Sequence, residues 1–454
     1  MKELVPFELT KEYRDRFQEA LNERDDNFIR QSLEEVNAAD ITSLLYEFSS
    51  EESKYVLDLL PVEVRSEIIR DLDSDTRKTF LKIYEPKEIA QILDQVDSDD
   101  VADILNELPI KASEEIIALI DPELRAKVVE LLRYDSNVAG GLMAKELIKA
   151  RDTWTVVQCI DEIRKQAEAV TRFYAVYIVD ENDKLLGRVA LQKLILALAT
   201  PTVTVNELMD EGELVAVETY LPDTEVAEVM QRYGFESIPV VNVQGQLVGR
   251  ITVDDIMDVI TEQAEEDRQL MSGITEDVEE DDSVWRNTRA RLPWLIIGIF
   301  GGLLSARLMG VFEMEIQRIA AIAFFIPLIQ ATGGNVGIQS SSLVVQSLVA
   351  PGIVDEGLLT RLGKVLSVAF LNGVVLSVLV FCASALVFGY DRLTTVVSIA
   401  LFCVVIFASF IGTVTPLILN RFGFNPALAS GPFITTLNDL LGLGIYFLTI
   451  QILM

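Results

Sequence analysis

The sequence contains no histidine in 454 residues, and that absence narrows its chemistry at once. Histidine-based acid–base catalysis and His-ligated zinc, iron or copper centres are excluded. Only three cysteines occur, Cys159, Cys382 and Cys403, and no two form a CxxC pair. Neither a thiolate metal site nor a disulfide framework is expected. No nucleophile–base constellation or Walker-type loop appears, so the chain is not expected to be an enzyme. Positive charge is also scarce: 38 Lys and Arg stand against 70 Asp and Glu, a net of −32. Nucleic-acid binding needs a basic footprint and is excluded as a partner class. What remains as ligand chemistry is oxygen, from carboxylate, amide, hydroxyl and carbonyl groups. Those are ligands for hard cations such as Mg2+ and Ca2+.

The charge is unevenly placed. From Trp285 onward there are six acids and nine bases, which leaves 64 acids and 29 bases in residues 1–284. The acidity belongs to the first part and the apolar surplus to the second. No apolar segment opens the sequence, so no cleavable signal peptide is expected. Residues 1–134 read as an acidic helical-repeat N domain. NAADITSLLYEF (37–48), EPKEIAQILDQV (85–96), DSDDVADILNEL (97–108) and DPELRAKVVELL (121–132) each open on a helix-starting residue, then run apolar at i, i+3, i+4. Such units bury their faces by stacking, so a helical superhelix is predicted.

Residues 135–262 change character. YAVYIVD (174–180) and SIPVVNV (237–243) each lead through a polar turn into LLGRVALQKLILAL (185–198) and LVGRITVDDIMDVI (247–260). This twofold strand–turn–strand–helix unit resembles a tandem CBS pair. The second copy carries the Gly-x-x-Thr-x-x-Asp pattern of nucleotide-binding CBS modules as Gly249, Thr252 and Asp255; the first has Ala190 and Lys193 in the latter two places. ATP is therefore a candidate ligand on one side. Residues 263–286 read as an acidic connecting helix that leads into the basic WRNTRAR (285–291).

Residues 287–454 offer five apolar stretches near the ~20 residues needed to cross a bilayer. They lie at roughly 293–312, 316–348, 363–389, 394–420 and 426–453. With the N-terminal half inside, the inner flanks hold Arg286, Arg289, Arg291, Arg361, Lys364 and Arg421, and the outer flanks only Arg318 and Arg392. The expectation is a multi-pass protein of the inner or plasma membrane, with its large N-terminal half cytoplasmic. Five spans without an inverted repeat point to a homodimer around a shared pore.

Asp439 is the sharpest signal, lying about thirteen residues from either end of 426–453. A carboxylate at the bilayer centre costs at least ~2.5 kcal/mol, and no Lys or Arg within the spans is an obvious partner. A water-filled path or a bound cation accounts for it; a protonated structural Asp is the alternative. Thr435, Thr436 and Asn438 offer oxygens within one turn, and Gly431-Pro432 can break the helix and free carbonyls. In the second span, Gly333, Gly334 and Asn335 precede Gln339, Ser340, Ser341 and Ser342. That run reads either as close helix packing or as an unwound segment lining a pore. In the acidic half, carboxylates cluster at 97–103, 254–258 and 262–267. Each cluster alone reads as a solvated face; together they could hold divalent cations between segments.

PLIQATGGNVGIQSSS (327–342) and NPALASGPFITTLND (425–439), with this order of parts, closely resemble the MgtE family of bacterial magnesium channels. The resemblance implies a homodimer with five transmembrane helices per subunit, an N domain, a CBS pair and a connecting "plug" helix. It implies ion selection at Asp439. It implies Mg2+ sensing by Asp99, Asp100 and Asp103 in the N domain, Asp255 and Asp258 in the CBS pair, and Glu266 and Asp267 on the plug. Family members often carry Asp-Pro-Ala-Leu where this chain has Asn425-Pro426, and Gly-Asn-Gln-Ser where it has Gly337-Ile338-Gln339-Ser340. Some acids of the second CBS unit are replaced, by Pro222, Thr224 and Gly234. Two rival readings stand beside the channel. One is a secondary transporter using Asp439 to carry a proton or Na+. The other is a membrane-anchored nucleotide sensor, which leaves Asp439 unexplained.

Overall fold

Helix-start chemistry fixes the first third of the chain. The structure, a computed structural model, describes residues 9–166, 174–200, 203–210, 214–275, 278, 283–349, 358–429 and 431–454. Residues 276, 277 and 279–282 of the expected connector, and Ser430 of the last predicted span, lie outside that set. Ten short helices come first: α1 (Lys11–Glu23), α2 (Asp26–Leu33), α3 (Ala38–Leu45), α4 (Ser50–Leu59), α5 (Val62–Asp71), α6 (Ser74–Leu81), α7 (Pro86–Leu93), α8 (Ser98–Asn106), α9 (Ile110–Ile117) and α10 (Pro122–Leu131). Asn37 caps α3 through its side chain, and reciprocal capping boxes start α4 (Ser49 with Glu52) and α7 (Glu85 with Glu88). Asp121 caps α10, with Pro122 in the first turn. Each cap satisfies backbone N–H groups that a helix start leaves orphaned. Helices this short are marginal alone. They stack on the helix two places on, α3 on α5, α5 on α7, α7 on α9 and α8 on α10. Their apolar positions, among them Ile41, Leu44, Leu57, Ile68, Ile92 and Val101, are buried. This is the predicted stack of repeats.

After α11 (Ala139–Leu142), the CBS pair forms two three-stranded sheets of one design. β1 (Lys149–Arg151) runs parallel to β2 (Ala175–Val179), which pairs antiparallel with β3 (Leu185–Ala190). β4 (Val217–Glu218), β5 (Ser237–Val241) and β6 (Leu247–Thr252) repeat the order. The register repeats too, with Ile178 opposite Gly187 and Val240 opposite Gly249. α12 (Val156–Gln166), α13 (Leu191–Ala197) and α14 (Asp223–Tyr233) flank the sheets. A hydrogen bond of 2.8 Å joins the Tyr177 and Ser237 hydroxyls across the two copies.

The chain divides into two compact units, Met1–Val259 and Ile260–Met454. α15 (Val253–Met271) is one unbroken helix through that division. The second unit continues with α16 (Val284–Val311), α17 (Glu313–Arg318), α18 (Ile326–Val349), α19 (Leu358–Phe388), α20 (Arg392–Arg421) and α21 (Pro432–Leu453). Five of its helical segments are long and apolar enough to cross a membrane. α20 is the central one: Val397, Ala400, Leu401, Val404 and Val405 are buried among Ile322, Ile329, Leu443, Tyr446 and Phe447. Leu295, Ile299, Phe300 and Leu303 on α16, and Leu371, Val375, Leu379 and Leu386 on α19, are exposed. An apolar exterior of this kind belongs to a multi-pass membrane protein.

The second span decides between the two readings of its glycine run. α18 runs unbroken through Gly333, Gly334 and Asn335, and the irregular stretch lies earlier, in the 3-10 turn Ala320–Phe325. An unwound segment would strand backbone N–H and C=O groups, whereas the helix satisfies them internally. The glycines serve close approach instead. A Cβ on Gly412 of α20 would collide with the Gly337 carbonyl of α18, and a Cβ on Gly337 with the Asn438 amide of α21. Gly412→Ala is therefore expected to destabilise the membrane unit by about 1–3 kcal/mol. Thermal melting in detergent checks this; a melt that overlays the parent's would show that the helices have slack at this contact.

Candidate functional site

Two places gather ionisable chemistry, one in each unit. In the first, two helix starts meet. Asp97 is the N-cap of α8, and Asp99 and Asp100 fill its first turn. Asp254 and Asp255 fill the first turn of α15. With Arg70, Ala144, Tyr174, Arg250 and Thr252 they line a cavity of about 40 Å3. Thr252 donates from its backbone N–H and its hydroxyl to Asp255 Oδ2, both at 2.8 Å, and from the hydroxyl to Asp254 as well. Glu146, itself buried, holds α8 in place. Its Oε2 accepts from the Ser98 N–H at 3.2 Å and the Ser98 hydroxyl at 2.7 Å, and its Oε1 pairs with Lys127 at 3.1 Å. Lys145 Nζ donates to the Val248 carbonyl of β6 at 2.9 Å.

The electrostatics of this cavity are strained. Asp99 is only 7% exposed, and its Oδ1 has no hydrogen-bond partner. Burial pushes its carboxyl well above the usual range, and the charges of Asp255, Asp100 and Asp97 push the same way. Asp100 is pushed up to about 7, first by burial and then by Asp255 and Asp97, against the opposing charge of Arg70. Asp255 is pushed up to about 6, chiefly by burial, although the Thr252 hydrogen bonds favour its ionised form. Helix N-termini favour nearby anions, but here that help does not offset desolvation and like charge. Among the described residues, no three carboxylates converge closely enough to cage a bare metal ion. The all-oxygen donors, the orphaned Asp99 Oδ1 and room for water suit instead a hard dication that keeps part of its hydration shell.

The structure thus brings Asp99, Asp100 and Asp255 together. Asp103 stands one turn further along α8, exposed. Asp258 stands one turn along α15, where burial and the charges of Asp254 and Asp71 raise its pKa. Glu266 is exposed. Asp267 belongs to the second unit, where its Oδ1 accepts from Asn425 Nδ2 at 2.8 Å. Of the residues expected to hold a nucleotide, Thr252 and Asp255 are bonded to each other, and a Cβ on Gly249 would strike Met143 and the Ala144 carbonyl. Sequence reasoning did not find Arg70, Arg250, Tyr174 or Glu146. Their roles come from tertiary pairing of distant segments, which leaves no periodic or spacing signal.

In the second unit, Gly431 breaks the chain with φ 57°, and Pro432 opens α21. A side chain at 431 would be strained by that φ and would also meet the Met271 carbonyl at the end of α15. Thr435 Oγ1 donates to the Gly431 and Pro432 carbonyls at 3.2 and 3.0 Å, and Thr436 Oγ1 to Pro432 at 2.7 Å. Two turns into α21, Asp439 is half-buried, with its Oδ1 beside Gly334. Among the described residues no base pairs with it. Gly333 is buried against Val404, whereas Asn335 is exposed. Asn438 is 2% exposed, and neither atom of its amide has a partner. It packs on Gly337, so it sits between helices in this arrangement.

The raised carboxyls carry a pH dependence whose sign is fixed. These groups bind protons more tightly in the cavity than when free, so without divalent cations the packing of α8 on β6 and α15 is most stable at low pH. It weakens as pH rises from about 4, the free value, to about 7. Denaturant melts of the full chain in chelator should show that fall, and Mg2+ at pH 7.5 should reverse it. A flat profile would show that the carboxylates are not desolvated as described.

Residues 326–449 match the MgtE family, described as divalent cation transporters; residues 36–137 match the MgtE intracellular N domain, and 138–200 and 205–262 match CBS domains. The chain is 33% identical over 446 residues to the magnesium transporter MgtE of Thermus thermophilus, covering 96% of this chain and 97% of that one. It is 33% identical over 323 residues to the MgtE of Bacillus subtilis, covering 71% of each. Among solved structures, the cytosolic domain of the Mg2+ channel MgtE in complex with ATP aligns at 36% identity and a TM-score of 0.51, covering 53% of this chain and 98% of that one. Spanning nearly the whole of such a relative, and matching in all its parts, the chain belongs to the MgtE family of divalent cation transporters.

Proposed function

We propose that this protein is a Mg2+ channel working as a homodimer in the inner or plasma membrane, with residues 1–284 on the cytoplasmic side. The observation that carries the reading is Asp439: a half-buried carboxylate that has no basic partner among the described residues, in a span whose helix is interrupted seven residues earlier at Gly431-Pro432. Mg2+ sheds water reluctantly. Asp439 and its mate in a second subunit would attract the hydrated ion through its waters, and two facing charges favour a dication over a monovalent ion. Inward flow needs no ATP, since ~2.3 kcal/mol per charge per 100 mV doubles for a divalent ion.

In this proposal the acid cavity is the sensor. At low cytoplasmic Mg2+ the carboxylates of α8 and α15 repel and the contact loosens; bound Mg2+ bridges them and tightens it. The signal travels along α15. That single helix carries Asp254, Asp255 and Asp258 at its start and Glu266 and Asp267 near its end. Its last turn packs Leu270 against Val345 and Ala427, with Asp267 bonded to Asn425 and Gly273 against Pro432. Closing the cavity would fix the helix, and the fixed helix end would hold the start of α21 beneath Asp439. Mg2+ then shifts a two-state equilibrium by its differential affinity.

ATP is a second candidate ligand, supported by the 36% identical solved relative crystallised with it. Thr252 and Asp255 are engaged with each other, so a ribose there would compete with the acid cavity. A ring face at Phe235, under the Arg188 guanidinium at 5.0 Å and stacked on Tyr233, offers an alternative base contact. Millimolar ATP should raise the melting temperature of the full chain, and Thr252→Ala should erase the rise if the ribose sits at Thr252. A rise that Thr252→Ala leaves intact would move the site towards Phe235.

The permeation test is direct. Asp439→Ala should abolish Mg2+ uptake into proteoliposomes while expression and oligomeric state are kept, and Asp439→Asn should lose preference for divalent ions. Uptake by Asp439→Ala at the parent rate would remove Asp439 from the pore. Flux that collapses with the proton or Na+ gradient would favour the coupled transporter.

A further inference from the structure

Arg250 is 3% exposed, on β6, where its backbone exchanges hydrogen bonds with Ala144 at 3.0 and 2.8 Å. Its guanidinium lines the acid cavity with Asp97, Asp99, Asp100, Asp254 and Asp255. Nevertheless its Nε and Nη1 have no hydrogen-bond partner, and among the described residues it forms no ion pair. Burying a charge without a close partner is costly. As a space-filler alone, an arginine makes no sense here, because a methionine would occupy similar volume without that cost. Its charge reaches the cavity nonetheless: it favours the ionised form of Asp255 and acts on the Tyr177 hydroxyl.

We propose that Arg250 is a resident cation of this cavity, supplying part of the positive charge that a divalent ion would otherwise supply, and so setting how far closure of α8 on the CBS pair depends on that ion. This rests on the reading of the cavity as a divalent-cation site. Once its five carboxylates are ionised, at a pH above their raised values, the other charged groups lining this cavity with Arg250 sum to −4, which becomes −2 when a divalent ion enters. Arg250 therefore stabilises the ion-free closed arrangement about twice as much as the ion-bound one. Its presence narrows the gap between the two, so the parent closes partway without divalents and responds gradually to them.

The test is hydrogen exchange of the peptide spanning α8 in the full-length protein, in chelator and at saturating Mg2+, for the parent, Arg250→Gln and Arg250→Lys. Arg250→Gln should speed exchange about tenfold in chelator but only about threefold in Mg2+, which widens the response to the ion. Arg250→Lys, which keeps the charge, should stay within about twofold of the parent in both conditions. An equal acceleration of Arg250→Gln in both conditions would make Arg250 a packing residue and overturn the proposal, as would no acceleration at all. Should Arg250→Gln fail to fold, Arg250→Lys decides alone: a Mg2+ response wider than the parent's overturns the proposal, and a matching one supports it. Parent exchange indifferent to Mg2+ would instead sink the cation-site reading itself, and this inference with it.

Discussion

Like charge brought together out of water is the constraint on which the rest of this structure depends. α8 and α15 present their first turns to one small cavity, and those turns carry Asp97, Asp99, Asp100, Asp254 and Asp255. Apolar stacking of the repeats delivers α8 to this place, and Glu146 pins it there through Ser98. The fold thus forces a contact that its own electrostatics oppose. Under the proposed reading such an arrangement is poised, and protons, a resident arginine or a divalent ion would each tip it.

The membrane unit meets the same constraint in a harsher solvent. Asp439 is held in the last span with no basic partner among the described residues, beside glycines that let α18 and α21 approach closely. Within this unit the last turn of α15 packs Leu270 against Val345 and Ala427, and the Met271 carbonyl lies against Gly431, just before α21.

Much of this was legible in the sequence, for physical reasons that also explain what was not. The capped apolar periodicity of 37–48 and 85–96 reports helices directly, since caps and core face are local properties. The repeat at 185–198 and 247–260 reports the CBS pair, and Asp439 stands out because a lone carboxylate in an apolar run is costly wherever it falls. The helix break at Gly431 was readable because Gly-Pro restricts backbone geometry locally. Gly333-Gly334-Asn335 left two readings open: glycine signals either unwinding or close packing, and only the neighbours, Val404 and Thr435, decide for packing. Arg250 and Glu146 were invisible because their meaning lies in what the fold sets opposite them. Asp267 was expected to bind an ion, and the structure shows it bonded to Asn425, at the position where the sequence departs from the family pattern.

In the proposed mechanism a divalent ion closes the cavity by bridging its carboxylates, and this closure shuts the pore. The most direct measurement is Mg2+ flux through the full-length protein in oriented proteoliposomes, with Mg2+ varied on the side of residues 1–284, for the parent and for Asp99→Asn combined with Asp255→Asn. Flux through the parent should fall as Mg2+ on that side rises, and the double variant should keep conducting over the same range. A double variant that shuts at the same Mg2+ concentration as the parent would contradict that mechanism.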